Sequence, residues 1–300
     1  MPFYRSCGLR LHYVGRGAQP AGAANSFLFQ HGIGGDVRQP SRFLVPERIS
    51  IPAEELSILH ADFRGHGQSE LGPANCLSIG TLAFDMLALL DHLGIQRAIL
   101  GGISMGAAAA LRLAIDQPER CQALILCRPA WFDGPMSHAA RQALALVAEL
   151  LAADDWQLSA APELEQSEIL KSIERVCPDA AKSIRGQVQS VLSHPEIRKR
   201  AIARLRYLPV SNGIERLQDL AAVRCPALIL AAEGDPIHPF EYARQIARYL
   251  PTSRLVTITP KSAVDDTPHL REVDQMVGEF LSANKLERGE AGATRPLRNG

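Results

Sequence analysis

Residues 102–106 read Gly-Ile-Ser-Met-Gly, a single serine between small residues, after the apolar run RAIL and before four alanines. A serine hydroxyl becomes a useful nucleophile when a base takes its proton. Attack on a carbonyl also creates an oxyanion that donors must hold. The pattern G-x-S-x-G on a strand-to-helix turn meets the first need, because the sharp turn exposes the hydroxyl and tolerates only small flanking residues. The helix start would favour negative charge beside Ser104. A plain tight turn with Ser104 as helix cap fits the same residues. Upstream, His31-Gly32-Ile33-Gly34-Gly35 ends another apolar run. A glycine-rich turn there can aim the Ile33 amide at an oxyanion, with the Met105 amide as second donor. The alternative is an ordinary strand-end turn. HGIGGD lacks the G-x-x-x-x-G-K-[ST] pattern of a phosphate-cradling loop, and GGISMGA lacks a matching acidic residue at the end of the next strand.

Elements capable of positioning these groups alternate along the chain. SFLFQHG, LSILHADF, RAILGGIS, CQALILCR, CPALILAAEG and SRLVTIT are short, nearly continuous apolar runs, as expected of parallel strands buried on both faces. Between them lie helical patterns such as IGTLAFDMLALLDHLG, MGAAAALRLAIDQP and PFEYARQIARYLP, bounded by glycine or proline. The alternation predicts an α/β fold, a mostly parallel sheet with helices on both faces. It breaks once: residues 131–213 carry helical patterns only, which predicts a helical cap inserted into a core formed by residues 1–130 and 214–283. Residues 284–300 are charged and aperiodic, and a disordered tail is expected.

Composition narrows the function classes. Among the 300 residues, 32 Lys and Arg balance 32 Asp and Glu, which gives no electrostatic case for nucleic acid or an anionic membrane. No apolar stretch approaches membrane-spanning length, and the N-terminus lacks the apolar centre of a signal peptide. The six cysteines are scattered without C-x-x-C or zinc spacing. The expectation is a cytoplasmic protein acting on a small-molecule substrate, without metal.

Four motifs, QHGIGG (30–35), ADFRGHGQS (61–69), GGISMGA (101–107) and LAAEGDPIHP (230–239), together resemble the α/β-hydrolase fold family over roughly residues 10–283. The resemblance implies an eight-stranded sheet whose second strand runs antiparallel to the rest, with a helical lid after the sixth strand. It implies a serine–acid–histidine triad in that chain order and no cofactor. Asp235 stands where the family carries its acid, with Asp133 as the alternative after the sixth strand. Of the histidines, His238 and His269 follow Asp235; His238 sits three residues past the acid, which favours His269 from a separate loop. This chain departs from the family there, with Pro268 in place of the usual preceding glycine and Asp265 and Asp266 nearby. The resemblance makes Arg64 and His66 scaffold residues. The expected chemistry is acyl transfer through Ser104, Asp235 and His269, with Ile33 and Met105 as oxyanion hole. Trp131, Phe132 and Trp156 are pocket candidates. A small to medium, fairly hydrophobic ester or lactone is the expected substrate. Carbon–carbon bond hydrolysis, acyl transfer, perhydrolysis and non-catalytic ligand binding are the alternatives.

Overall fold

The computed structural model describes residues 2–17, 25–43, 56–261 and 265–284. Eight strands, β1 (Phe3–Ser6), β2 (Leu9–Gly17), β3 (Asn25–Gln30), β4 (Leu56–Ala61), β5 (Ala98–Ile103), β6 (Cys121–Cys127), β7 (Ala227–Ala231) and β8 (Ser253–Thr257), form one sheet in the order β1-β2-β4-β3-β5-β6-β7-β8. β2 runs antiparallel to its neighbours β1 and β4, and every other pairing is parallel. The expected α/β sheet with its reversed second strand is therefore present. Neighbouring residues of the apolar runs point to opposite faces, so both faces must be covered. Phe27, Phe29, Ile99 and Ile125 pack with Val273, Val277 and Phe280. Leu28, Leu100 and Leu124 enter the larger core on the other face, with Leu82, Met86 and Leu111.

A short α1 (Pro40–Phe43) follows β3, and α2 (Ile79–His92) and α3 (Met105–Asp116) flank β5 in sequence. α2 begins at Ser78, whose hydroxyl accepts the Thr81 N–H, satisfying one of the orphan amides of a helix start. Five helices, α4 (His138–Ala152), α5 (Trp156–Gln166), α6 (Glu168–Val176), α7 (Pro178–Ser193) and α8 (Arg198–Tyr207), lie between β6 and β7. α9 (Phe240–Tyr249) precedes β8, and α10 (Thr267–Ala283) follows it. Asn284 caps α10, and the rest of the expected disordered tail lies outside the described residues.

The basic helix α8 ties the inserted helices to the sheet. Arg200 donates to the carbonyls of Gly67 and Ser69, and buried Arg204 to that of Gly65 at 2.8 Å. Arg198 turns inward instead, donating to Leu151 O and Ala153 O while its guanidinium lies 5.0 Å from the Trp156 ring. The loop that receives Arg200 and Arg204 is itself braced. Asp62 accepts from His12 and from the amides of Val37 and Gln68, while Arg64 pairs bidentately with buried Asp85. Arg64 thus acts as scaffold in this geometry, as the resemblance implied.

Candidate active site

The turn at Ser104 is built from glycine and strain. Ser104 ends the line of β5 at φ 56°, ψ −107°, one of three non-glycine residues with positive φ among those described. Its amide is fixed by the Cys127 carbonyl at 2.9 Å, and its own carbonyl begins α3 by accepting from Ala108. A Cβ on Gly102 would lie 2.4 Å from the Gly106 backbone, and one on Gly106 would lie 2.4 Å from Gln30 O. Side chains at either position would push helix from strand, so the glycines are required by contact. As first residue of α3, Met105 has an amide with no intrahelical acceptor. Ile33 N–H likewise finds no acceptor among the described residues.

The turn carrying Ile33 is held from three sides. Gly32 N–H donates to Gln39 Oε1 at 2.7 Å, and Gly35 N–H closes on Gly32 O. His31 Nε2 accepts the Phe63 amide, which leaves Nδ1–H to donate to Gly32 O at 2.8 Å. His66 Nε2 lies 3.0 Å from Ile33 O. Burial pushes both imidazoles toward the neutral form, below the ordinary histidine range. These histidines shape the turn and do not reach Ser104.

The histidine at Ser104 is His238. Its Nε2 is 2.9 Å from Ser104 Oγ, and its Nδ1 is 2.8 Å from Asp235 Oδ2. The expectation of His269 is thereby corrected. His269 sits in the first turn of α10, buried, with Nδ1 2.8 Å from Thr259 O. The argument that a base three residues from its acid is too near fails for a specific reason. Asp235 Oδ1 accepts the amides of Ile237 (2.9 Å) and His238 (3.3 Å), so the carboxylate folds its own loop back on itself. That leaves Oδ2 beside the returning imidazole. The loop is further tied down by Ser137, whose hydroxyl donates to Pro236 O ahead of α4. Asp133, the alternative acid, is exposed.

Sequence reasoning also missed Arg128. The chain leaves β6 with Arg128 N–H donating to Leu230 O, then turns through φ 49°. This left-handed turn carries the guanidinium across the sheet edge to Asp235, with Nη2 2.5 Å from Oδ2. Two donors, Arg128 Nη2 and His238 Nδ1–H, converge on that oxygen, which brings them within 3.4 Å of each other. Nη2 is also 3.4 Å from Asp179 of α7, whose other oxygen is 3.2 Å from Lys261 Nζ. The only advance signal was an arginine directly after a fully apolar strand, CQALILCR.

The electrostatics suit proton transfer. Burial alone would raise the Asp235 carboxyl, but His238 and Arg128 hold it well below the usual carboxylate range. Burial lowers His238 from the ordinary value of 6.5, and Arg128 lowers it further, against the pull of Asp235. A neutral imidazole with Nδ1–H on Asp235 offers the Nε2 lone pair to Ser104. Ser104, His238, Gly32 and Ile33 open onto a cavity of about 290 Å³, whose far wall includes Met136, Leu144 and Ile184. Trp131, Phe132 and Trp156 are not in this wall. All three are buried in the main core, so the pocket expectation for them is corrected. Gly213 leaves room for Trp131 there, since a Cβ on it would lie 2.8 Å from Trp131 Cβ.

Residues 25–262 match the sequence family described as alpha/beta hydrolase fold. The chain belongs to that family. Within the α/β-hydrolases, it is 26% identical over 234 residues to a protein of Pseudomonas savastanoi pv. phaseolicola provisionally named carbamate hydrolase RutD, covering 77% of this chain and 83% of that one. A 156-residue stretch is 33% identical to the dihydrolipoyllysine-residue acetyltransferase component of the acetoin cleaving system of Cupriavidus necator. That match covers 49% of this chain and only 39% of the relative's length. The enol-lactonase of Burkholderia xenovorans LB400 superposes with a TM-score of 0.70 at 22% identity, over 94% of this chain and all of that one, a likeness of fold. Among the described residues no helix is long and apolar enough to cross a membrane.

Proposed function

We propose that this α/β-hydrolase chain is a serine hydrolase that cleaves a small to medium carboxylic ester or lactone through an acyl-enzyme. Ser104 is the nucleophile, His238 the base and Asp235 the orienting acid. The observation that carries this reading is the hydrogen-bonded line Ser104 Oγ–His238 Nε2–His238 Nδ1–Asp235 Oδ2, at 2.9 and 2.8 Å, on a serine held at positive φ. The names of the RutD relative and the enol-lactonase agree with hydrolysis at an acyl carbon.

The steps follow from the geometry. His238 Nε2 takes the Ser104 proton as Oγ bonds to the substrate carbonyl carbon, and Asp235 stabilises the imidazolium. The amides of Ile33 and Met105 receive the oxyanion, a contribution of about 2.7–4 kcal/mol per donor in comparable sites. The imidazolium then protonates the leaving oxygen. Water, deprotonated by the same nitrogen, attacks the acyl-enzyme, releases the carboxylic acid and restores Ser104. The Asp235–His238 loop delivers both partners from one short segment, so their mutual orientation does not depend on the stretch after β8.

A fluorophosphonate probe tests the reading. It is expected to label the wild-type chain stoichiometrically, with the adduct on Ser104, and to leave folded Ser104→Ala unlabelled. An unlabelled, folded wild type overturns the hydrolase reading.

A further inference from the structure

The cavity beside Ser104 is unusual in which of its charges face inward. Arg128 and Lys261 line it, together with Arg42, and Asp266 is the one carboxylate in the same wall among the described residues. The carboxylates that balance Arg128 and Lys261, Asp179 and Asp235, stand behind the wall and are not part of its lining. A ligand entering the cavity therefore touches the cations and not their counter-ions.

The cations are also incompletely used. Arg128 places a single nitrogen, Nη2, on Asp235, Asp179 and the edge of His238. Its Nε and Nη1 make no hydrogen bond among the described residues, although its side chain is only 9% exposed. Among the described residues Lys261 Nζ makes one ion contact, at 3.2 Å to Asp179 Oδ1, without hydrogen-bond geometry. A guanidinium offers five N–H donors in a planar fork, and leaving buried donors against an apolar ligand forfeits their hydration without replacement. A neutral acyl chain packed against this wall would strand them. A carboxylate would accept from the fork and from the ammonium together, in charge-assisted bonds.

We propose that the substrate carries a carboxylate besides the bond it presents to Ser104, and that Arg128 Nε and Nη1 with Lys261 Nζ bind this carboxylate within the cavity. This rests on the hydrolase reading above. It deepens that reading from a small to medium carboxylic ester or lactone to an ester or lactone of a dicarboxylic acid. It also assigns Arg128 two tasks on separate nitrogens: Nη2 steadies Asp235, and the free edge of the fork receives substrate. Because Arg128 touches the acid and the ligand alike, a bound carboxylate would sit on the guanidinium that steadies Asp235, fixing the scissile carbonyl relative to Ser104.

The test pairs p-nitrophenyl half-esters of succinate, glutarate and adipate with neutral p-nitrophenyl esters of matched chain length. The leaving group is constant, so differences report the acyl side. At least one half-ester is expected to show a kcat/KM about 10- to 100-fold above its neutral partner, the discrimination that charge-assisted hydrogen bonds support. Lys261→Met should reduce that preference ratio about tenfold, mainly through the KM of the half-ester. Equal or lower kcat/KM for every half-ester overturns the proposal, as does a Lys261→Met ratio equal to that of wild type. Glutarate binding to Ser104→Ala, followed by calorimetry, separates the two readings because it needs no hydrolysis. Binding lost in Lys261→Met, with no Ser104-dependent turnover of any ester in wild type, would uphold the carboxylate site and sink the hydrolase. Ser104-dependent turnover without glutarate binding or half-ester preference would uphold the hydrolase and sink the carboxylate site.

Discussion

His238, partly buried, and His269, buried, both lie at the carboxyl end of the sheet, and loss of hydration lowers the basicity of both. They differ in what stands at Nδ1. His238 has the Asp235 carboxylate there and Ser104 at its other nitrogen. His269 has a backbone carbonyl, Thr259 O. A carbonyl can fix a tautomer, but it cannot offset the positive charge that develops when the ring takes a proton; a carboxylate does both. On the proposed reading, a general base is recognised by its orienting partner. Position relative to the strands is the weaker guide.

The largest effect belongs to the group both histidines could in principle serve. Ser104→Ala is expected to lower kcat for a p-nitrophenyl ester by roughly 10⁴-fold or more, measured in steady state, while the far-ultraviolet dichroism stays unchanged. His238→Ala should approach the same loss, about 10³- to 10⁶-fold, and His269→Ala should stay within about tenfold of wild type. The reverse ranking would return the base to α10. His269→Ala still removes a buried hydrogen bond, so a melting curve should show destabilisation of about 1–3 kcal/mol.

Asp235→Asn probes the partner itself. The amide keeps an acceptor for the Ile237 and His238 amides but presents the wrong charge to the ring, and kcat should fall about 10³- to 10⁴-fold with the fold retained. The smallest effect is a displacement of the pH profile. His238 must be neutral to act as base, so activity is lost as pH falls through its pKa. Burial and Arg128 lower that pKa, which places the acid limb of kcat/KM below pH 6.5. Removing the cation in Arg128→Met should move the limb upward in pH, toward the ordinary histidine value. A limb that does not move, or that moves to lower pH, would mean that Arg128 does not act on the imidazole. Where kcat also drops, the pH midpoint remains the readout that a merely structural arginine would not shift.

The turn at Ser104 was legible because the pattern that marks it, a serine between glycines after an apolar run, is local. Gly102 is dictated by an approach of 2.4 Å to Gly106 across the turn that the apolar runs already announce, whereas the same approach at Gly106 is to Gln30 O of the neighbouring strand β3. The parallel sheet was legible for the same reason, since strands such as CQALILC are buried on both faces and must read as continuous apolar runs. The aromatic pocket residues misled because size and apolarity are the same currency in a core and in a pocket. Trp131 is buried in the core, against Gly213 from a distant part of the chain, where a side chain at 213 would collide with it.

The sequence by itself determined the sheet, the position of the helical insertion and the serine turn, because each is marked by periodicity or by a short local pattern; Asp235 came from the family resemblance, with Asp133 as its alternative. Which histidine meets the serine, and that an arginine leaving β6 backs the acid, depended on tertiary structure. Both outcomes turn on how a carboxylate divides its two oxygens: Asp235 Oδ1 curls its own loop, which frees Oδ2 for His238 and Arg128. A turn of three residues and a left-handed backbone angle at Arg128 decide where those side chains arrive. Neither is written in the spacing of the residues that they bring together.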